Sequence, residues 1–350
     1  MGFRAKPSHR STCGCTSVVA ELWGRVVALQ AQFSEVVLED SAAAAGVPPR
    51  LLCTRRTRLD HAGLQVCVGD RVRLEGLDAR AGRAAVAAVA PRRNLLQRPA
   101  VANVNRVVVV ASLAEPALDP LQLTRFLITA EASGAAVELV LGKVDLVEAG
   151  VLEAWCARLE DWGYRVWPLS THRGCGVEAL ALQLAEGGGI GVVCGPSGVG
   201  KSSLLNALCP ELALRVAAVS GRLRRGRHTT RHVELFPLQG GGLLADSPGF
   251  NRPQLPDDPA ALAAAFPELR TRLEAAGCRF RNCRHTGDPG CAMGTDWPRF
   301  SLYRQCLEEV EAIASVPTRV STTTRRRTSR RQTSQGLSRP GREDSDPDHP

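Results

Sequence analysis

No apolar run in this 350-residue chain approaches the length of a membrane span; the longest, Val107 to Leu113, has the length of one strand. A membrane-spanning protein and a membrane partner are therefore not expected. The first twenty residues lack the apolar stretch of a secretory signal, and Lys6 stands where a myristoylation pattern needs Ser or Thr. They are basic, with no acid before Glu21. That leaves two readings open, an organelle transit peptide and a disordered bacterial extension. The matching locations are an organelle stroma or matrix and the bacterial cytoplasm. Long internal repeats are also absent.

Cysteine is plentiful, with 12 residues. The chain length and uneven spacing nevertheless argue against a small disulfide-stapled scaffold, and a reducing compartment with one metal site fits better. The net charge of +9 favours a polyanionic partner such as RNA or DNA, although much of the excess lies in an Arg-rich tail. At this length two or three domains are expected.

Residues 22–95 read as closely spaced strands: GRVVALQAQFSEVVLED alternates, LLCTRRTRL, VGDRVRLEGL and AAVAAVAP follow, and Gly69, Asp70 and Gly76 punctuate them. With basic residues interleaved, this predicts an OB-like β-barrel. PRRNLLQRP, 91–99, reads as a basic linker. Over 100–252 the pattern changes to α/β. NRVVVVASL is a continuous β-branched run of the kind buried in a parallel sheet, and the strands AVELVLG, YRVWPLS, IGVVCG, HVELFPL and GLLAD are separated by helical stretches. Residues 253–315 hold a Cys/His cluster and a helix over Arg299 to Ile313 with apolar positions Leu302, Cys306, Leu307 and Val310. The ends, 1–21 and 316–350, are expected to be disordered, the latter basic and then acidic.

One motif carries the chemistry most plainly. Gly195-Pro196-Ser197-Gly198-Val199-Gly200-Lys201-Ser202, followed by Ser203, fits G-x-x-x-x-G-K-[ST] between a strand and a helix. Its glycines let backbone N–H groups turn inward on a phosphate, Lys201 supplies a cation to the β/γ-phosphates, and the Ser202 hydroxyl suits Mg²⁺. Downstream, LLADSPGF offers a D-x-x-G at the end of a strand. Asp246 can hold Mg²⁺ directly or through water, and the Gly249 amide can sense the γ-phosphate. Between them, GRHTTR provides Thr229 or Thr230 to complete the Mg²⁺ shell. The water-orienting Gln common after D-x-x-G is missing. Phe250 and Asn251 stand there, so slow intrinsic hydrolysis is expected, with His228 the nearest candidate substitute.

A base-reading pair lies upstream instead of downstream. Lys143 and Asp145 end the strand AVELVLG, and Ser170 opens a Gly turn one α/β unit later. A carboxylate there can accept both guanine N1–H and N2–H, a donor pair that adenine lacks. Gly142 replaces the usual Asn or Thr, which costs one side-chain hydrogen bond, about 1 kcal/mol. The order base, base, phosphate, switch, switch is that of a circular permutation, which keeps the site and moves the termini.

This constellation resembles the circularly permuted ribosome small subunit-dependent GTPase A family (RsgA, also called YjeQ). The resemblance covers about 22–313 and includes VGDRV, LTRFLITAEASG, GPSGVGKSSLLNAL, GRHTTR, DSPGF and the cysteine cluster. It implies an OB-like barrel, a circularly permuted P-loop GTPase domain and a C-terminal zinc-binding domain. It further implies hydrolysis of GTP to GDP and phosphate, stimulated by the small (30S) ribosomal subunit, in late maturation of that subunit. By the family pattern His228 is linked to hydrolysis and Thr230 to Mg²⁺. The expected partners are the small subunit and its rRNA, and the expected state is a monomer.

Cys278, Cys283, His285 and Cys291 place three thiolates and an imidazole within fourteen residues, which suits one closed structural Zn²⁺ site. Arg279, Arg281 and Arg284 are interleaved with these ligands and suggest a phosphate-facing module. Two other readings compete. One is a P-loop ATPase, given the imperfect base motif. The other is a zinc/OB RNA-binding protein whose nucleotide site is degenerate and does not hydrolyse.

Overall fold

A computed structural model describes residues 21–30, 32–39, 47–55, 65–97, 100–209, 233–246 and 253–315, with Asp246 described in its backbone only. The structural statements below concern those residues.

Five strands form the first unit: β1 (Leu22–Gln30), β2 (Phe33–Leu38), β3 (Arg50–Arg55), β4 (Arg71–Asp78) and β5 (Arg83–Val89). They hydrogen-bond in the order β1-β2-β3-β5-β4, and β4 pairs back onto β1, so the sheet closes and has no free edge. The alternation in sequence becomes an alternation in burial. Val26, Val36, Leu51, Cys53, Val72, Leu74 and Val86 fill the interior, while the Arg and Glu residues between them face out. This is the expected OB-like barrel.

Of the expected linker at 91–99, the described residues 91–97 are instead structured. Within it, β6 (Leu95–Gln97) pairs antiparallel with β7 (Ala100–Ala102). Its geometry is dictated from a distance. Arg92 grips Asp70, the Asn94 side chain accepts from the Val104 amide, and Asn103 donates to Gly69 O. Local composition carries no trace of these partners.

The second sheet comprises β8 (Val104–Ser112), β9 (Ala136–Gly142), β10 (Val166–Pro168), β11 (Ile190–Cys194), β12 (Glu234–Pro237) and β13 (Leu243–Asp246). Its order is β10-β9-β8-β11-β13-β12, parallel except for β12. Successive residues of β8 serve opposite faces. Val107, Val109 and Ala111 meet α1 (Pro120–Glu131) and α2 (Ala149–Asp161), while Val108 and Val110 meet α3 (Val177–Ala185) and α4 (Lys201–Leu208). Burial on both faces explains why this strand reads as an unbroken apolar run. α1 begins where Asp119 accepts from the Leu121 and Gln122 amides and Pro120 needs no donor. β10 is shorter than the sequence pattern suggests. It is an edge strand, entered through a turn at Gly163 (φ 89°) and left at Ser170, which turns away into a loop.

The last described segment packs α5 (Pro259–Ala264), α6 (Pro267–Ala275) and α7 (Phe300–Ala314) around Phe266, Trp297 and Tyr303. The rings of Phe266 and Tyr303 meet edge to face at 5.2 Å. Ile128 of α1 belongs to the same core, so this segment is joined to the α/β sheet by apolar packing.

Candidate functional site

The C-terminal ends of β8, β9, β10 and β11 lie along one edge of the parallel sheet, where open α/β sheets bind ligands. The phosphate loop leaves β11 there. Gly195 (φ 139°) passes so close to β8 that a Cβ would sit 2.1 Å from Val110 O, so only glycine fits. Gly200 (φ 98°) sits at the start of α4, and no side chain caps the helix. Its first amides are therefore left for an anion. Lys201 Nζ spans the loop, donating to Gly195 O at 2.9 Å and Pro196 O at 2.6 Å. Val199 is buried beneath the loop, and Ser202 and Ser203 stand exposed on the first turn of α4.

The base-side residues arrive from the neighbouring strands. β9 ends at Gly142, Lys143 takes a left-handed conformation (φ 57°), and Val144–Leu146 form a single 3-10 turn. The Val144 amide donates to Leu169 O at 3.3 Å, which ties this turn to the end of β10. The Ser170 hydroxyl is buried, accepts from the Arg173 amide at 3.1 Å, and hydrogen-bonds Asp145. That bond is the main reason the Asp145 carboxyl is held below the usual carboxylate range. Ser170 thus favours the ionised form of Asp145, which is the state an acceptor for two N–H groups requires. Ser170, Asp145 and Lys143, separated in sequence, come together here.

Gly142 lies directly against the phosphate loop: a Cβ there would come within 3.2 Å of Val199 O. Base loop and phosphate loop meet backbone to backbone at this point. Sequence reasoning missed a third element, the loop after β8. The carbonyl of Glu115 accepts from Lys143 Nζ, and Pro116 Cδ lies 3.5 Å from where a Gly198 Cβ would be. One short loop therefore touches both halves of the site. Pro116 in SLAEPALDP is the sequence signal of that loop. Asp246 ends β13, beside β11. His228, Thr229, Thr230 and Gly249 lie outside the described residues.

A second cluster is built from the loop before α7. One donor atom from each of Cys278, Cys283, His285 and Cys291 lies within 4.8 Å of the others, and Cys278 Sγ is 3.5 Å from His285 Nδ1. Backbone amides of Ala292, His285 and Met293 donate to the sulfurs of Cys278, Cys283 and Cys291 at 3.3 to 3.4 Å. Such donors stabilise thiolates. Burial lowers the His285 pKa, which favours the neutral imidazole that binds metal. Burial pushes the Cys283 thiol up to about 11. At Cys291 burial pushes the same way, but donation from Met293 and Gly287 and the neighbouring thiols outweighs it, leaving that thiol below its ordinary value. The spacing and the donor set fit a tetrahedral Zn²⁺. Arg284 is drawn off to Glu311 at 3.1 Å, so of the three interleaved arginines only Arg279 and Arg281 have no acidic partner among the described residues.

Known proteins share this arrangement. The family described as RsgA GTPase matches residues 89–256. The small ribosomal subunit biogenesis GTPase RsgA of Synechococcus sp. (strain CC9605) is 56% identical over 83% of this chain and 95% of its own length. The protein of the same name from Thermosynechococcus vestitus is 49% identical over 85% of this chain and 84% of its own length. Among solved structures, YjeQ from Thermotoga maritima aligns with a TM-score of 0.68 at 27% identity, over 83% of this chain and 99% of that one. YloQ, described as a circularly permuted GTPase, aligns with a TM-score of 0.68 at 26% identity, over 85% and 97%. With base loops before the phosphate loop in the chain and beside it on the sheet, this chain belongs to the RsgA GTPase family, a family of circularly permuted GTPases.

Proposed function

We propose that this protein hydrolyses GTP to GDP and phosphate on the small ribosomal subunit, late in that subunit's maturation, and that it holds the subunit through rRNA. The observation that supports it most is the meeting of Asp145, its ionised form favoured by Ser170, with a Gly-rich phosphate loop on one sheet edge. The relatives' names supply the subunit. Asp145 reads the guanine N1 and N2 donors, Lys143 covers the base, and the Ser170 loop faces the guanine oxygen. Gly195 to Ser203 cradle the phosphates, with Lys201 Nζ turning from the loop carbonyls to the β/γ-phosphate oxygens.

Ser202 and Thr230 would hold Mg²⁺, with Asp246 beside them; the exposed Ser202 on the first turn of α4 and the Asp246 strand end suit a hard cation. Bound there, Mg²⁺ would offset charge developing on the phosphates. His228 is the residue to orient the attacking water, and Gly249 is the one to sense the γ-phosphate. Because the second switch leads into the segment carrying α5 to α7, nucleotide state is placed to move that segment. Cys278, Cys283, His285 and Cys291 hold one structural Zn²⁺. A bacterial cytoplasm and a monomeric state complete this reading.

The test is GTP turnover by the purified protein, alone and with small ribosomal subunits. Slow turnover that rises at least tenfold with subunits is expected. Bound GTP with no stimulation would leave the degenerate-site RNA-binding protein as the better reading.

A further inference from the structure

Aromatic side chains are few in this chain: five Trp, two Tyr and eight Phe. Nearly all that the structure describes are buried or half-buried. Among the described residues only two are exposed, Phe33 at 38% and Phe280 at 52%. Phe280 lies between two of the zinc-ligating cysteines, Cys278 and Cys283, and its surroundings fix it in place. The Cys283 amide donates to Phe280 O at 3.3 Å, and the Arg279 amide donates to Gly290 O at 2.9 Å, closing the knuckle across its base. A Cβ on Gly290 would lie 3.1 Å from Phe280 Cε2. The ring edge therefore rests on bare backbone that only glycine leaves open. A turn pinned by metal ligands on both sides thus presents a ring that cannot collapse onto a core.

The charge around the ring is selective. The Arg279 guanidinium stands 5.5 Å from the ring centroid. Arg279 and Arg281 are exposed and have no acidic partner among the described residues, whereas Arg284 is neutralised by Glu311. A half-open aromatic face, with Arg279 over it and Arg281 beside it and neither held by an acidic partner among the described residues, fits an unpaired nucleobase whose neighbouring phosphates need counter-charge. A protein partner would instead need carboxylates for those arginines together with an apolar pocket for the ring.

We propose that Phe280 is a stacking platform for an unpaired rRNA base, with Arg279 and Arg281 on the flanking phosphates. This rests on the reading above that the protein works on ribosomal RNA, and it specifies where and how. Stacking of this kind is worth about tenfold in affinity per base, and one phosphate contact contributes roughly one unit to the salt dependence.

The experiment uses the full, zinc-loaded chain and two probes, a short unstructured oligoadenylate and purified small ribosomal subunits. Binding is measured for the natural protein, F280A, F280W and R281A, with zinc content checked in each. F280A should weaken oligoadenylate binding about tenfold with its salt slope unchanged, and F280W should restore it. R281A should lower both affinity and slope. F280A binding the oligonucleotide like the natural protein overturns the proposal. So does F280A losing subunit affinity while keeping oligonucleotide affinity, which would assign the ring to a ribosomal protein. Subunit-stimulated GTP turnover of the natural protein, run in parallel, reports on the underlying reading by itself: its absence sinks that reading, while the oligonucleotide arm still decides the stacking.

Discussion

The α/β sheet is gripped from two sides, both with apolar cores, and the charged contacts in the two grips are set differently. On the barrel side Val27 and Val68 pack with Val101, Val104, Ile190 and Leu235 in a buried apolar core, and the rim around it is polar and partly wet. β1 meets β12 at a single pair, Ala28 opposite Glu234, and Arg50 reaches Glu234 at 3.5 Å with both side chains partly exposed. The strongest element there is Asp70, fully buried, which accepts from Arg92 at 2.7 and 2.8 Å and from the Cys67 amide at 2.8 Å, while Arg92 keeps contact with solvent. On the side of the Cys/His cluster the charged contact is dry. Arg299 is fully buried, forks onto Glu268 at 2.6 and 2.5 Å, and lies over the rings of Phe266, Trp162 and Tyr164 at 4.6 to 5.3 Å. Trp162 and Tyr164 come from the end of α2 and the turn before β10, the strand that leads to Ser170. A hydrogen-bonded seam can trade its partners for water; a buried guanidinium between aromatic faces cannot. The polar rim of the barrel seam can therefore exchange partners with water, while Arg299 ties the Cys/His segment to the guanine side of the sheet.

Breaking the dry grip should have the largest effect. Arg299→Ala strands Glu268 without its partner in an apolar setting and should cost about 3–5 kcal/mol, read as a drop in the denaturant midpoint. Breaking the wet seam should cost less. Asp70→Asn keeps the shape and leaves Arg92 able to turn to water, for a loss of about 1–3 kcal/mol by the same measurement. Equal losses at the two positions would erase the distinction. The smallest stability effect belongs to Arg50→Ala, whose partner Glu234 is partly exposed, at roughly 1 kcal/mol or less.

A pH titration sharpens the contrast, because it probes the sheet edge between the two grips. Asp145 is held below the ordinary carboxylate range, chiefly by Ser170. GTP binding should therefore stay level as pH falls through the usual Asp value near about 4 and fail only below it. In Ser170→Ala the loss should begin at higher pH, with little change in folding stability. An unchanged profile in that variant would show that Ser170 does not set the carboxylate's state.

The parts of this molecule that could be read from sequence are those whose causes are local. The phosphate loop needs glycines at fixed offsets, β8 needs an apolar run because both its faces are covered, and the three Cys and one His whose donor atoms converge within 4.8 Å lie within fourteen residues. What escaped has distant causes. Residues 91–97 fall in a stretch that looks like a basic linker because the groups that order them, Asp70 and Val104, sit elsewhere in the chain. Arg299 looks like the polar start of a helix, and only the arrival of Glu268 and Trp162 lets it be a fully buried charge. The loop at Glu115 and Pro116 carries no recognisable motif and contributes a backbone carbonyl, a group that sequence does not display.

The central claim is that guanine is read by residues lying ahead of the phosphate loop in the chain. Its most direct test is displacement of a fluorescent GDP analogue by GTP and by ATP, from the natural protein and from Asp145→Asn. GTP should displace the probe and ATP should not, and Asp145→Asn should lose about 1.5–3 kcal/mol of guanine affinity, and with it most of the preference. Equal displacement by ATP from the natural protein, or a preference that survives Asp145→Asn, would contradict the claim.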